Sequence, residues 1–441
     1  MLPSVFLFII AKHGFMKTKI TIMREYHYLC TILELFIEIR NNANIYYINM
    51  VKISDRIYSV GVNDQDKVLF EGLWPIPYGV SYNSYLVMDE KVALVDTVEC
   101  GFEEEYLANI EEVLGGRKID YLVVNHMEPD HSSLVAYMLE HHPELMIVAN
   151  AKTVPMLKGY YKTPEEKIKV VAEGESISLG SCSLDFYMIP MVHWPETMVT
   201  WMPEEGTLFS ADAFGTFGAV NEEIVDSEGT FEEYRDEMIR YYSNIVGKYG
   251  APVQQALKKL AGLDIKRVCS THGPVWETNI AQVVALYDKL SRYDVDKGVC
   301  IVYGSMYGNT AAAADALAME LEERGIPYAI HDLAGNNAGE LGVSGAIRDA
   351  FKYDTIVVGS PTYNNSIFPP VETFMKALKA RQVKGRRFYA FGSYTWAGAS
   401  VKQLNALAAE MGFEVLGDGM SFPQAYDREK CDISAVADLL M

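Results

Sequence analysis

Short apolar runs followed by polar or small residues recur along the chain from Val51 onward. Runs of this length bounded by turn-forming residues are typical of β-strands. From Val51 to about Leu290 many such strands alternate with helical patterns, which predicts an αββα sandwich with two stacked sheets covered by helices. After the polar segment 291–297, the runs become almost continuously apolar, which is typical of parallel strands buried on both faces. We therefore expect two α/β domains, the second a doubly wound parallel sheet.

The first 49 residues differ from the rest of the chain, because they are rich in Ile, Asn and Tyr and show only weak periodicity. Their apolar start is too short to span a membrane, and it has no basic segment before it, unlike a signal peptide. We expect residues 1–49 to be an extension, either a mis-assigned start upstream of Met50 or a disordered leader. A short amphipathic or membrane-associated leader is the alternative. The first domain is then expected at 50–293 and the second at 297–441.

The segment from Asn125 to His131 follows the apolar run 121–124 and contains four potential metal ligands. Three further candidates each follow another predicted strand. A lone histidine in such a place is more often a core or loop residue, but this set matches the His-x-x-x-Asp-His arrangement of metallo-β-lactamase-like sites. The candidate ligands of a metal pair are His126, Glu128, Asp130, His131, His193, Asp212 and His272. The pair His141-His142 lacks such company and is predicted to be a solvated helix end.

Glu128 stands where zinc hydrolases of that fold usually carry a third histidine. A carboxylate in place of an imidazole makes the site harder and more anionic, and none of the seven candidates is a thiolate. This donor set favours iron or manganese over zinc.

Composition narrows the possible functions. The chain has 441 residues, of which 49% are hydrophobic, and a formal net charge of −21. This charge argues against nucleic acid and anionic membranes as partners. The six cysteines form no C-x-x-C pair, which argues against a built-in rubredoxin or iron–sulfur module. Isolated cysteines in apolar runs fit a reducing cytoplasm.

The second domain carries three loops that fit a phosphorylated ligand. The loop 304–310 joins an apolar run to an Ala-rich helix, so that backbone N–H groups and the helix dipole would face an anion. It lacks the P-loop lysine and the G-x-G-x-x-G pattern, which disfavours ATP and dinucleotides. Loops 360–365 and 392–398 follow two other predicted parallel strands and would emerge at the same edge of the sheet. Their amides and hydroxyls could bond a flavin, and Tyr363, Tyr394 or Trp396 could flank its ring.

On these motifs, residues 51–441 resemble a flavodiiron protein, also called an A-type flavoprotein, in its minimal two-domain form. The resemblance implies a metallo-β-lactamase-like di-iron domain followed by a flavodoxin-like FMN domain. It implies that His126, Glu128 and His193 bind one iron, that Asp130, His131 and His272 bind the other, and that Asp212 bridges them. The expected FMN contacts are Ser305, Met306, Gly308, Asn309, Thr310, Pro361, Thr362, Tyr363, Asn364, Ser393, Tyr394, Trp396 and Gly398.

The activity implied by the resemblance is reduction of O2 to water, of NO to N2O, or of both. Electrons would come from reduced rubredoxin or a similar donor. The resemblance also implies a head-to-tail homodimer or a dimer of dimers. Two alternatives stay open at this point: a zinc hydrolase of the metallo-β-lactamase fold, and a flavodoxin-like electron carrier with an inactive metal domain.

Overall fold

The first half of the chain contains two extended sheets. The computed structural model describes residues 50–220, 223–335 and 339–441, so the expectation for residues 1–49 lies outside the described residues. The first sheet has the strand order β1-β2-β7-β8-β9-β10-β11, and two small hairpin-like pairs, β3 with β6 and β4 with β5, lie beside it. These strands are β1 (Val51–Lys52), β2 (Ile57–Ser59), β3 (Val62–Asp64), β4 (Leu69–Phe70), β5 (Trp74–Pro75), β6 (Val80–Tyr82), β7 (Tyr85–Met88), β8 (Val92–Val95), β9 (Tyr121–Val123), β10 (Met146–Asn150) and β11 (Ile168–Val171).

The second sheet has the order β12-β13-β14-β15-β16. It is antiparallel except where β15 and β16 run parallel, so both of these strands deliver their carboxyl ends to one edge. The strands are β12 (Ser176–Ser178), β13 (Ser183–Met188), β14 (Met198–Met202), β15 (Thr207–Phe209) and β16 (Arg267–Cys269).

The two sheets stack face to face, as the alternation of side chains along β8 shows. Ala93 and Val95 enter one buried cluster together with residues of the second sheet such as Phe186. Val92 and Leu94 point the other way, into the cluster formed with the covering helices. Successive side chains of a strand point to opposite faces of the sheet, and here both faces are apolar. Both faces must therefore be covered by other elements. The predicted αββα sandwich is confirmed.

Helices cover the outer faces. Those of the first half are α1 (Glu103–Leu114), α2 (Pro129–Ser132), α3 (Val135–His141), α4 (Thr153–Tyr161), α5 (Thr230–Tyr241), α6 (Gly250–Leu260) and α7 (Ile280–Ser291). A 3-10 turn at Glu165–Lys167, a π-helical turn at Tyr242–Val246 and a second 3-10 turn at Gly247–Tyr249 add to them. His141 ends α3 in solvent as predicted, but His142 is buried beside Glu111, so that half of the helix-end prediction is wrong.

A third sheet builds the second half, in the order β18-β17-β19-β22-β23, with β24 paired to the end of β22. Every pairing in it is parallel, which confirms the predicted doubly wound sheet. Its strands, with the separate hairpin β20–β21, are β17 (Asp296–Tyr303), β18 (Tyr328–Asp332), β19 (Tyr353–Gly359), β20 (Thr362–Tyr363), β21 (Ser366–Ile367), β22 (Arg387–Tyr394), β23 (Glu414–Val415) and β24 (Met420–Pro423). The helices are α8 (Asn309–Glu323), α9 (Gly342–Lys352), α10 (Pro369–Ala380), α11 (Ser400–Glu410) and α12 (Ile433–Leu440).

One boundary differs from the sequence prediction. The strand expected to end at Phe391 continues as β22 to Tyr394, because β24 pairs with Phe391 through Tyr394. Ser393 and Tyr394 therefore lie on a strand end and not in a loop. A strand end is held by ladder hydrogen bonds, so these two side chains have fixed directions.

Two arginines, Arg240 fully buried and Arg381 half-buried, connect the two halves of the chain. Arg240 of α5 donates to the carbonyl of Pro75 and to the Ser344 hydroxyl of α9. Arg381, after α10, donates to the carbonyls of Ser243 and Asn244, and its guanidinium lies 5.1 Å from the Trp74 ring centroid. Since guanidinium groups bonded to carbonyls fix both partners, these contacts hold the two halves in one arrangement.

Candidate functional site

The seven candidate ligands all lie at strand ends of the two stacked sheets. His126 and Glu128 follow β9, while Asp130 and His131 lie on the short helix α2, which begins at Pro129. His193 follows β13, Asp212 follows β15, and His272 follows β16. Because α2 is a single short turn, Asp130 and His131 face the same region as His126 and Glu128 in the loop before it.

The structure gathers the seven side chains into two adjacent groups. His126, Glu128, His193 and Asp212 form the first group, and Asp130, His131 and His272 form the second. Within each group the ligand atoms lie within 4.8 Å of one another. We call these group A and group B. A set of nitrogen and carboxylate oxygen atoms at this spacing, with no thiolate, suits iron or manganese.

Asp212 lies between the groups and turns one oxygen toward each. Its Oδ2 is 3.0 Å from His193 Nε2 and 3.4 Å from His126 Nε2, on the side of group A. Its Oδ1 is 3.1 Å from His131 Nε2 and accepts a 2.5 Å hydrogen bond from the Thr271 hydroxyl. A carboxylate with one oxygen on each side has the geometry of a bridge between two cations.

Hydrogen bonds behind the ligands fix two imidazole rings. His126 Nδ1 donates to Glu196 Oε1 at 3.0 Å, and His272 Nδ1 donates to the Ser81 carbonyl at 2.7 Å. Each bond leaves the Nε2 atom free to face the other ligands. Sequence reasoning missed Glu196 and Ser81. Glu196 follows Trp-Pro and Ser81 lies within β6, so neither carried a signal in the sequence.

Several buried polar atoms at this centre have no hydrogen-bond partner among the described residues, although Asp130 Oδ2 lies 3.3 Å from His131 Nε2 and 3.4 Å from His272 Nε2. Both carboxylate oxygens of Asp130 and the Nδ1 atom of His131 make no hydrogen bond to any described residue. Buried polar atoms are otherwise almost always paired, because an unpaired one costs the full desolvation penalty. Orphaned oxygens aimed at a cluster of imidazole nitrogens therefore fit a bound cation, and the residues present suit a metal pair.

The pKa values of the ligand side chains also indicate a site that favours a bound cation. Burial by itself raises the pKa of Glu128, but hydrogen bonds from His126 and His193 outweigh it and hold that pKa below its ordinary value. Burial lowers the pKa of His131, yet Asp130 and Asp212 outweigh it and raise the pKa to about 9. His193 likewise reaches a pKa of about 9, because Asp212 and Glu128 overcome its burial. The cluster is an anionic cage that stabilises positive charge at its centre.

A cavity of about 350 Å³ opens directly onto the centre. Two of the ligands, Glu128 and Asp130, form its floor, and the other described lining residues are Lys67, Phe70, Glu71, Gly72, Glu99 and Pro129. Burial, followed by the neighbouring charge of Glu128, raises the pKa of Glu71 to about 7. The sequence did not predict these lining residues, which belong to the β4–β5 pair and to the segments after β8 and β9.

Aromatic side chains enclose the remaining sides. Trp194 packs edge-on against His126, with ring centroids 5.3 Å apart. The ring centroids of Phe217 and Phe70 lie 5.3 Å apart, and those of Phe70 and His272 lie 5.4 Å apart. Phe214 packs on Tyr287, with ring centroids 4.7 Å apart. These rings make the surroundings of the metal groups apolar on those sides.

The second site is a cavity of about 340 Å³ at the carboxyl edge of the third sheet. Eight of the thirteen residues expected to contact a flavin line it: Ser305, Met306, Asn309, Thr310, Pro361, Thr362, Ser393 and Tyr394. Four further residues line the cavity that the sequence did not predict: Tyr307, Thr395, Gln424 and Ala425. Gln424 and Ala425 reach this edge of the sheet because they follow β24, which pairs with β22.

The other five expected contacts lie around the cavity without lining it: Gly308, Tyr363, Asn364, Trp396 and Gly398. Gly308 precedes α8 with a φ of 86°, a conformation that favours glycine. Trp396 is 83% exposed and Tyr363 is 41% exposed, so both are free to cover a ligand's face.

The loop before α8 is shaped as an anion cradle. The Ser305 hydroxyl accepts hydrogen bonds from the N–H groups of Gly308 at 3.1 Å and Ala311 at 3.3 Å, which folds the loop around the first turn of the helix. Thr310 shares a 3.1 Å hydrogen bond with Ser393 across the cavity floor. None of the described lining residues is basic, so the positive end of the helix dipole would supply the attraction for a phosphate. The cavity therefore fits a phosphate monoester with a flat polar ring.

Fold and sites together define a class: a metallo-β-lactamase-like domain with a two-metal ligand set, joined to a flavodoxin-like domain. The family model described as "ODP family beta lactamase" matches residues 80–273, and the model described as "Flavodoxin" matches residues 301–433.

Comparison with individual proteins narrows the class to one family. The chain is 30% identical to an anaerobic nitric oxide reductase flavorubredoxin of Vibrio vulnificus over 370 residues, covering 82% of this chain and 74% of that protein. It is similar in structure to the rubredoxin oxygen:oxidoreductase of Desulfovibrio gigas, with a TM-score of 0.82, 29% identity and coverage of 89% and 97%. The flavodiiron protein from Giardia intestinalis gives a TM-score of 0.84, 27% identity and coverage of 89% and 96%. This chain belongs to the flavodiiron protein family.

Proposed function

We propose that this chain is an oxidoreductase that reduces O2 to water, NO to N2O, or both, with FMN and a pair of irons as cofactors. The observation that carries the proposal is the bridging position of Asp212 between two ligand groups that contain no thiolate. The flavodoxin-like domain in the same chain supplies the second cofactor site. A zinc hydrolase would need no such domain, and a plain electron carrier would need no such ligand set.

In this proposal His126, Glu128 and His193 bind one iron and Asp130, His131 and His272 bind the other, with Asp212 shared. A pair of iron ions supplies one-electron redox chemistry at adjacent positions when bound. The chain's own contribution is to hold the ligand atoms in place. Thr271 orients Asp212, Glu196 and Ser81 orient the two histidines, and the Trp194 and Phe70 rings limit access of water.

The FMN site of the proposal combines the cradle with the edge loops. Ser305, Met306, Gly308, Asn309 and Thr310 would hold the phosphate, and the residues after β19 and on β22 would hold the ring. The cavity shape, the helix N-terminus and the hydroxyl lining support this assignment. Tyr363 and Trp396 would lie at the rim of the site, exposed and outside the cavity lining.

The electron donor and the assembly are parts of the same proposal. Reduced rubredoxin or a similar small redox protein is the proposed donor, and the named relatives support that chemistry. We propose a head-to-tail homodimer, with a dimer of dimers as the larger form, in which the FMN of one subunit faces the metal pair of its partner. Exposed apolar side chains support it: Val68, next in sequence to the cavity-lining Lys67, is 76% exposed, and Tyr307, which lines the flavin cavity, is 89% exposed.

We propose a cytoplasmic location, in keeping with the cysteines. Of the described residues, Cys100, Cys182, Cys269, Cys300 and Cys431 are all free thiols. None of the described helices combines the length and apolar character needed to cross a membrane.

Cofactor analysis and turnover test the proposal together. Protein expressed in iron-replete medium should contain about two irons and roughly one FMN per chain, and should consume O2 or NO when supplied with reduced rubredoxin. Glu128→His should shift metal preference toward zinc and abolish gas reduction, because it restores the imidazole of the hydrolytic sites. Stoichiometric zinc in the parent protein, or full activity in Glu128→His, would contradict the proposal.

A further inference from the structure

Glu196 lies behind the metal centre, fully buried, and is not one of its ligands. Its Oε1 accepts one hydrogen bond from His126 Nδ1 and a second from the Met127 N–H, each at 3.0 Å. Its Oε2 has no hydrogen-bond partner among the described residues. Both side chains of the Glu196–His126 pair have no exposed surface. A carboxylate thus stands directly behind one ligand of group A, shielded from water.

The histidines of group B have no such support. His272 Nδ1 donates to a neutral backbone carbonyl, that of Ser81. His131 Nδ1 has no partner among the described residues. Group B also has a single carboxylate of its own, Asp130, whereas group A contains Glu128 and the nearer oxygen of Asp212. The two metal positions are therefore built from unequal sets of charges.

The physical effect of a buried carboxylate behind an imidazole is well defined. It fixes the tautomer that carries its proton on Nδ1, so that Nε2 is the atom presented to the metal. It also pulls that proton outward and raises the electron density of the ring, which makes the imidazole a stronger donor. A neutral carbonyl fixes the tautomer as well but adds no net charge. In a low-dielectric site the additional charge is only weakly screened.

We infer that Glu196 is a positioning residue that makes the two metal sites unequal. Through His126 it causes the position at group A to bind metal more tightly and to hold its metal in the more oxidised state. Glu196 acts on the centre without touching a metal or a substrate. The inference rests on the metal centre of the proposed function and adds that its two halves have different affinities and potentials.

Cobalt(II) binding to the metal-free protein tests the inference without any turnover. The visible absorption of bound cobalt should report two equivalents in the unmodified protein. In Glu196→Gln, which keeps a hydrogen-bond acceptor and removes the charge, one of the two equivalents should bind about 10- to 100-fold more weakly. The affinity of the second cobalt equivalent should not change. Glu173→Gln is the matched control, because Glu173 lines the same outer cavity as Glu196 but is exposed and contacts no ligand.

An EPR-monitored redox titration of the iron-loaded protein gives the second readout. The separation between the two one-electron potentials should narrow in Glu196→Gln and stay unchanged in Glu173→Gln. A residue with only a structural role would not move one potential selectively. Cobalt affinities and potentials in Glu196→Gln that do not differ from those of the unmodified protein would overturn the inference.

A third measurement needs no variant and applies even if Glu196→Gln fails to fold. Nitrogen-15 NMR of the zinc-loaded parent protein should show His126 with its proton on Nδ1, in a strongly downfield signal. A proton on Nε2 of His126 would overturn the inference. Failure of the parent protein to take up two equivalents of cobalt would instead overturn the metal centre itself.

Discussion

The two sites of this chain are built in opposite ways. The proposed metal centre uses seven side chains from four separate segments, with His126, His131 and His272 fully buried and their neighbours held by further hydrogen bonds. The flavin cavity uses one helix N-terminus, a few hydroxyls and aromatic side chains at its rim, of which Tyr307 and Trp396 are more than four-fifths exposed. One site depends on which side chains are present and the other on how the backbone runs.

The contrast follows from what each site has to hold. A metal ion needs a few donor atoms of definite charge and type, so each ligand is hard to replace. A phosphate at a helix N-terminus is bound mainly by backbone N–H groups, which every residue except proline can offer. We therefore expect single substitutions to have large, selective effects at the metal centre and graded effects at the flavin cavity.

The largest effect is expected for Asp212→Asn. The amide keeps the shape but has one acceptor oxygen and no charge, so it cannot bridge two cations between His131 and His193. Iron content should fall from about two per chain to less than about one, with loss of gas reduction and unchanged FMN content. Metal and flavin analysis after purification measures this. Asp264→Asn, at a side chain 87% exposed, is the control. Full iron content in Asp212→Asn would show that the bridge is dispensable.

Acid should weaken metal binding but leave the flavin in place. His131 and His193 have pKa values raised to about 9, so in the metal-free protein both rings are protonated at neutral pH. Metal has to displace these protons, and its affinity should rise as pH increases from 7 toward 9, by up to about tenfold per pH unit for each proton released. Calorimetry in buffers of different ionisation enthalpy counts the protons. Binding without proton release would contradict the anionic-cage description of the site.

A moderate effect is expected for Ser305→Ala in the cradle. Its hydroxyl accepts from Gly308 and Ala311, so its removal loosens the loop without deleting the backbone donors. FMN should bind about fivefold more weakly, equivalent to about 1 kcal/mol, and iron content should not change. Fluorescence titration of the flavin-free protein measures the affinity. Ser421→Ala, an exposed hydroxyl in the same domain, provides the comparison. If Ser305→Ala abolished FMN binding, the expectation of graded effects at the flavin cavity would be wrong.

The smallest effect on cofactor binding is expected for Trp396→Ala. The side chain is 83% exposed and lies outside the cavity, so FMN affinity should change less than about twofold. If the flavin mouth faces a partner subunit, the same change should weaken the dimer, which sedimentation at falling concentration would detect. A large loss of FMN would instead show that the indole stacks directly on the ring.

Local patterns in the sequence accounted for most of the fold and for the ligand set. Runs such as 121–124 and 355–359 are strands, and all seven candidate ligands converge. The missed features depend on contacts between distant segments. Tyr394 was expected in a loop because its pairing partner on β24, Pro423, lies 29 residues further along the chain. His142 was expected in solvent, because its burial next to Glu111 depends on how α1 and α3 pack.

By itself, the sequence determined the elements, the two domains and the types of donor atom, because periodicity and side-chain chemistry are local properties. The family resemblance implied the division of the ligands and the bridging Asp212, but only the tertiary structure decided that Thr271 bonds Asp212 and that Glu196 stands behind His126. It also decided that Lys67, Glu71 and Glu99 line the metal cavity and that Gln424 and Ala425, after β24, line the flavin cavity. These features are distances between atoms remote in sequence, and such distances arise only when the sheets pack.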